Sequence, residues 1–229
     1  MNKLPLYNKV IVLGAILLLP SFFYFFLYSG EYHYKRLPIL GPKEVIEKEN
    51  GKIDTLYHTI PSFKLINQKN ETITEQDLLG NIVVADFFFV TCPSICPKMT
   101  TNLKFIQDKF KERKDFKIVS FTVNPEHDTV EVLADYAKKV HADESNWSFA
   151  TGPKKDIYDL AFNGFFVSAS RDSLAPGGFL HSGMIILLDK KGRIRGYFDG
   201  TVHKTIKEDL VDAIDILYKE EFVALKEKP

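Results

Sequence analysis

Charge of either sign is not in excess in this 229-residue chain: 30 Lys and Arg balance 30 Asp and Glu. That balance leaves no electrostatic footprint for nucleic acid. Internal repeats and low-complexity tracts are lacking, which excludes a repeat architecture. Cysteine is scarcer still, with two residues in the whole chain. A disulfide-stapled scaffold is therefore excluded, and a chain of this length can bury a sufficient apolar core without staples. Length alone suggests one ordinary domain and something extra.

The extra segment is at the amino end. Residues 10 to 29, VIVLGAILLLPSFFYFFLYS, carry no charge, and about 20 apolar residues are needed to cross a bilayer's hydrocarbon core. A cleaved signal peptide would have a shorter apolar stretch and a small-residue cleavage site. LYSGEYHYKR offers no A-x-A pattern, and there is no lipobox cysteine. The expectation is an uncleaved transmembrane anchor at 10–29 behind a cytoplasmic tail at 1–9. Lys3 and Lys9 on one side face Lys35, Arg36 and Lys43 on the other, so charge alone does not set the orientation. A short segment before the only span favours the tail inside and about 200 residues outside, in an oxidising compartment. The amino-terminal segment lacks the Arg- and Ser-rich character of a mitochondrial presequence, which points to a bacterial plasma membrane.

Beyond the anchor, residues 30–56 mix Pro, Gly and charge without periodicity and read as a tether. A domain is expected over 57–220, with a tail at 221–229. PSFKLIN and ETIT flank a polar turn and predict a short hairpin. NIVVADFFFV is a nearly continuous apolar run, as a strand buried on both faces requires. Met99, Leu103, Ile106 and Phe110 then recur at helical spacing. KIVSFTV predicts another buried strand, Val130 to Val140 a second helix, and KKDIYDLAFN a third. MIILL and RIRGYF are strands around DKKG, and Ile206, Leu210, Ala213 and Leu217 mark a last helix. The alternation predicts an α/β fold with a mixed sheet flanked by helices.

Both cysteines lie where the central strand turns into a helix, in DFFFVTCPSICPKMT. A bridge from Cys92 to Cys96 would close almost no loop and so contribute little as a staple. At a helix start the unpaired N–H groups and the macrodipole favour thiolates, so both cysteines are expected to ionise. Two thiolates held together can cycle with a disulfide or bind a soft metal such as Cu(I). A copper site needs a further donor. Of six histidines, His33 and His58 have no sequence link to the motif, and His141 offsets a helix dipole. His127 and His203 sit in loops before helices. His181 stands apart, at the root of a long loop containing Pro176, Gly177 and Gly178 and just ahead of a buried strand.

These segments resemble the Sco/SenC family of copper-binding proteins that serve cytochrome c oxidase assembly. FFFVTCPSICP matches the family's F-x-x-C-P-x-x-C-P signature, VNPEHDTVEVLADYA its D-P-E-R-D-T-P segment, and HSGMIILLDKKGRIRGYF its histidine, strand and turn. The resemblance covers Tyr57 to Leu217. It implies a thioredoxin-like fold in which Cys92, Cys96 and His181 bind one copper ion, Cu(I) or also Cu(II). It further implies a partner, the oxidase subunit that carries the dinuclear copper site. Leu180 departs from the aspartate that often precedes the histidine. Ser94, Asn124 and His127 depart from Asp, Asp and Arg, and Asp86 is a candidate compensating acid.

Two functions follow. In the first the protein is a membrane-anchored copper chaperone and not an enzyme. In the second it is a thiol-disulfide oxidoreductase, with Cys92 and Cys96 as its redox pair, that reduces the cysteines of the copper site or another exported client. Peroxidase chemistry has only fold analogy behind it.

Overall fold

The computed structural model describes residues 5–28, 36–47, 53–167, 169–171, 179–181 and 183–222. Two compact units divide at Lys35 and Arg36. The first is helix α1, Leu6–Tyr28, with Pro20 inside it. Its described side chains from Val12 to Tyr24, including Leu17, Leu18, Phe22 and Phe23, are exposed apart from Gly14. Among the described residues no helix is long and apolar enough to cross a membrane. Ser29, the end of the expected span, lies outside them.

The second unit opens with the hairpin β1 (Lys43–Glu47) and β2 (Ile53–Tyr57). Next come β3 (Lys64–Asn67), β4 (Thr72–Thr74) and β5 (Ile82–Phe88), then α2 (Cys96–Phe110) and β6 (Phe116–Thr122). Helix α3 (Val130–Lys139), β7 (Trp147–Thr151) and α4 (Lys154–Asp159) follow, the last running into a π turn at Leu160–Gly164. A small hairpin pairs β8 (Ala169–Arg171) with β9 (Phe179–His181). The chain then forms β10 (Met184–Leu188), β11 (Ile194–Asp199), α5 (His203–Thr205), a π turn at Ile206–Leu210 and α6 (Val211–Phe222).

Seven strands form one mixed sheet in the order β11-β10-β5-β6-β7-β3-β4. Strands β5, β6 and β7 are parallel, and the neighbours on both flanks are antiparallel. Every residue of β5 is buried, as its unbroken apolar run demands of a central strand covered on both faces. Met99, Leu103, Ile106 and Phe110 are the buried stripe of α2. Phe87 stacks on Phe121 at 5.3 Å and meets Phe165 edge-on at 5.4 Å. The expected mixed α/β architecture is therefore present.

Three elements depart from the sequence reading. β7 was not expected, because NWSFAT is too short and polar to signal a strand, yet it pairs along β6 and buries Trp147. Part of the stretch read as a tether is folded. Arg195 is 5 % exposed and needs acceptors, and it takes the carbonyls of Leu37 at 2.7 Å and Pro38 at 3.1 Å besides Asp189 and Glu220. Leu40 bridges Ile194 in the same clamp. Finally, the last helix extends to Phe222, past the boundary placed at 220.

Candidate metal centre

Strand β5 ends at Phe88, and the chain turns through Val90 and Thr91 to deliver Cys92 in front of α2. Pro97 occupies the first turn of that helix, where its missing N–H costs nothing. Cys96 begins the helix and is 2 % exposed, while Cys92 is 6 % exposed. The two are not joined by a disulfide.

Their environments differ. Burial alone would push the Cys92 thiol up, but the N–H groups of Cys96, Ser94 and Ile95 and the Cys96 thiol converge on its sulfur. The balance leaves Cys92 below the ordinary thiol value. Burial drives Cys96 the other way, well above the ordinary value, with the Phe89 backbone offsetting part of it and Cys92 adding to it. The expectation that both cysteines ionise is corrected here. Cys92 faces the open N–H groups of the first turn, whereas Cys96 is inside that turn and meets the core. Of the two, Cys92 is the more readily ionised and Cys96 the deeper, more strongly protonated thiol. Ser94 Oγ lies 3.9 Å from Cys92 Sγ, a neutral hydroxyl beside the sulfur.

Beneath the motif lies a buried polar line across three strands. Ser120 Oγ donates to Asp86 Oδ1 at 2.5 Å, and Trp147 Nε1 donates to Ser120 Oγ at 3.0 Å. Burial raises the Asp86 carboxyl to about 7, with the Ser120 bond opposing. Asp86 is thus an interior group of the sheet, 2 % exposed and bonded to Ser120. A second buried carboxylate, Asp128, holds the cysteine loop. Its Oδ2 accepts from the Val90 N–H at 3.0 Å and from Thr122 Oγ1 at 2.5 Å, and its Oδ1 lies 2.7 Å from His127 Nδ1.

The histidines sort by their partners. His58 bonds the Gly164 carbonyl at 2.9 Å and packs on Phe166. His127 is tied to Asp128, and His203 Nδ1 lies 2.6 Å from Asn102 Oδ1. His141 follows α3 with φ of 54°. The backbone of His181 ends β9, paired with Ala169, and its side chain lies outside the described residues, as does His33. Two residues on, Gly183 approaches the cysteine loop: a Cβ built on it would stand 3.6 Å from Ile95 Cδ1. Among the described residues no group of three or more His, Cys, Asp or Glu side chains converges on a metal position. The described part of the motif contributes two sulfurs, soft donors of the kind Cu(I) selects.

Sequence reasoning did not single out Asn102 or Asp128. Asn102 carried a readable signal, a polar residue inside the apolar stripe Met99, Leu103, Ile106.

Residues 52–215 match the SCO1/SenC family model. The chain belongs to the SCO1/SenC family. A SCO1/SenC family lipoprotein from Bacillus anthracis is 30% identical, with a TM-score of 0.64 over 70% of this chain and 95% of that one. BsSco, a member of the Sco family of cytochrome c oxidase assembly proteins in which a disulfide switch was identified, is 25% identical. Its TM-score is 0.61, over 70% of this chain and 94% of that one. Arabidopsis thaliana ScoI, solved with copper bound, is 25% identical with a TM-score of 0.58, over 68% of this chain and 97% of that one. The resemblance read from the motifs and the Sco fold agree.

Proposed function

We propose that this Sco protein is a membrane-anchored copper chaperone that carries one copper ion on Cys92, Cys96 and His181. The ion is cargo for the dinuclear copper site of a cytochrome c oxidase subunit. The observation that carries the reading is the sulfur pair itself: Cys92, its ionised form favoured by three N–H groups, with the Cys96 thiol beside it. Copper binding displaces the Cys96 proton, and the N–H groups around Cys92 lower the cost of its charge. Membership of a family that serves oxidase assembly, and copper in the Arabidopsis relative, support the choice of cargo. The uncharged stretch 10–29, about the length a span needs, supports the anchor. The folded unit is placed on the extracytoplasmic side of a bacterial plasma membrane.

The test is a titration of the reduced full chain in detergent with Cu(I) against a competing chelator, for the parent and His181→Ala. The expected result is one ion bound per chain by the parent and markedly weaker binding by the variant. Equal affinity in both would remove His181 from the ligand set.

A second reading is favoured by the unequal sulfurs. In thiol-disulfide exchange the Cys92 thiolate attacks a client disulfide and Cys96 resolves the mixed disulfide, leaving the client reduced and the pair oxidised. The disulfide switch in BsSco is in keeping with this chemistry. Weak copper binding in both proteins, together with ready exchange with small thiols, would select it.

A further inference from the structure

The buried face of α2 carries two amides, Gln107 and Asn102, and Asn102 has two fixed partners. Asn102 is 4 % exposed and lies six residues beyond Cys96 on the same helix. Its Nδ2 donates to the carbonyl of Gly200 at 2.8 Å. A carbonyl can only accept, so this bond settles which end of the amide is which. Oδ1 therefore accepts from His203, whose Nδ1 at 2.6 Å must carry the proton. His203 in effect locks the orientation of the amide.

The connection continues past Gly200. The Gly200 N–H donates to the carbonyl of Gly183 at 2.8 Å. A Cβ on Gly200 would lie 3.0 Å from that same oxygen and 2.9 Å from Ile185 Cγ1, so the close approach depends on glycine. Gly183 is two residues beyond His181, and the position of its missing Cβ is 3.6 Å from Ile95, which lies between the cysteines. A line of two hydrogen bonds thus joins the helix that begins with Cys96 to the strand root beside His181.

We propose that Asn102 is a positioning residue of the copper site: through Gly200 and Gly183 it fixes the start of β10, two residues beyond His181, relative to Cys92 and Cys96. It touches no metal. The inference rests on the copper reading above. Outer partners that orient a ligand typically contribute 10–100-fold in metal affinity, so losing this tie should weaken Cu(I) binding about tenfold.

A double-mutant cycle on the reduced full chain in detergent tests it, with Cu(I) affinity measured by chelator competition for the parent, Asn102→Leu, His181→Ala and the double variant. Metal-free hydrogen exchange at the Gly200 amide is followed in parallel. The expected result is about tenfold weaker binding for Asn102→Leu, no further loss when it is added to His181→Ala, and faster Gly200 exchange. Gly200→Ala presses on the same relay from its middle and should repeat the pattern, which keeps the test open if Asn102→Leu does not fold. Unchanged affinity for the folded variants overturns the inference, as does an undiminished loss in the His181→Ala background; neither result touches His181 as ligand. If His181→Ala alone binds as tightly as the parent, the copper reading falls and this inference with it.

Discussion

Substituting Asp86 by Asn should make the protein less sensitive to alkaline pH. The carboxyl is buried, and its folded value is about 7 against an ordinary 3.8. A raised carboxylate means that the folded state holds a proton which the unfolded chain has already released. Its contribution is fully present below about pH 4, fades as pH rises, and is exhausted above about 7. Integrating the linkage between pH 5 and pH 8 with these values gives a loss on the order of 3 kcal/mol for the parent. The amide of Asp86→Asn has no proton to lose and keeps an oxygen for Ser120, so the variant should not show that part of the loss. Trp147 is the only tryptophan and donates to Ser120 in the same line, which makes its fluorescence a local reporter of unfolding. Urea titrations of reduced parent and Asp86→Asn at pH 5, 6, 7 and 8 give the comparison, because groups common to both cancel. The difference between the two proteins should change by on the order of 3 kcal/mol across that range. A difference that stays constant to within about 0.5 kcal/mol would refute the argument that desolvation sets the Asp86 carboxyl.

Two further outcomes are expected. Limited iodoacetamide at pH 7 should label Cys92 about tenfold faster than Cys96, since the thiolate is the nucleophile and the deeper thiol keeps its proton; peptide mass spectrometry reads the ratio, and faster labelling of Cys96 would reverse the assignment. Asp128→Ala should cost about 3 kcal/mol by leaving the Val90 N–H and the Thr122 hydroxyl without their acceptor, with Asp128→Asn recovering roughly half; denaturation midpoints check this, and an Ala variant as stable as the parent would show that other groups take over.

The central part of the fold was legible because its signals were long and periodic. The run of β5 permits no reading but a strand buried on both faces, and the stripe from Met99 to Phe110 none but a helix packed on it. β7 was not legible, since a five-residue strand gains its stability from the neighbours β6 and β3 rather than from its own pattern. Nor could the clamp of Arg195 on Leu37 and Pro38 be read, as it joins residues more than 150 positions apart. At the site, position revealed the cysteine pair, but their inequality depends on depth, which spacing does not encode. Asp86 illustrates the same limit: the sequence shows an acid in a buried strand, and only Ser120 across the ladder explains how it is accommodated.

The pairing of β5 with β10 bears on how the chain is made. Ala85 stands opposite Ile186, about 100 residues later in synthesis. Until β10 arrives, one edge of the central strand has no partner, and the turn that carries Cys92 and Cys96 is without its neighbour Gly183. Such long-range closure is slow compared with forming a helix, and nascent segments with open edges are vulnerable meanwhile. The thiols are therefore most exposed to stray oxidation before β10 has been made. Keeping them reduced is a demand of biogenesis as much as of the finished protein.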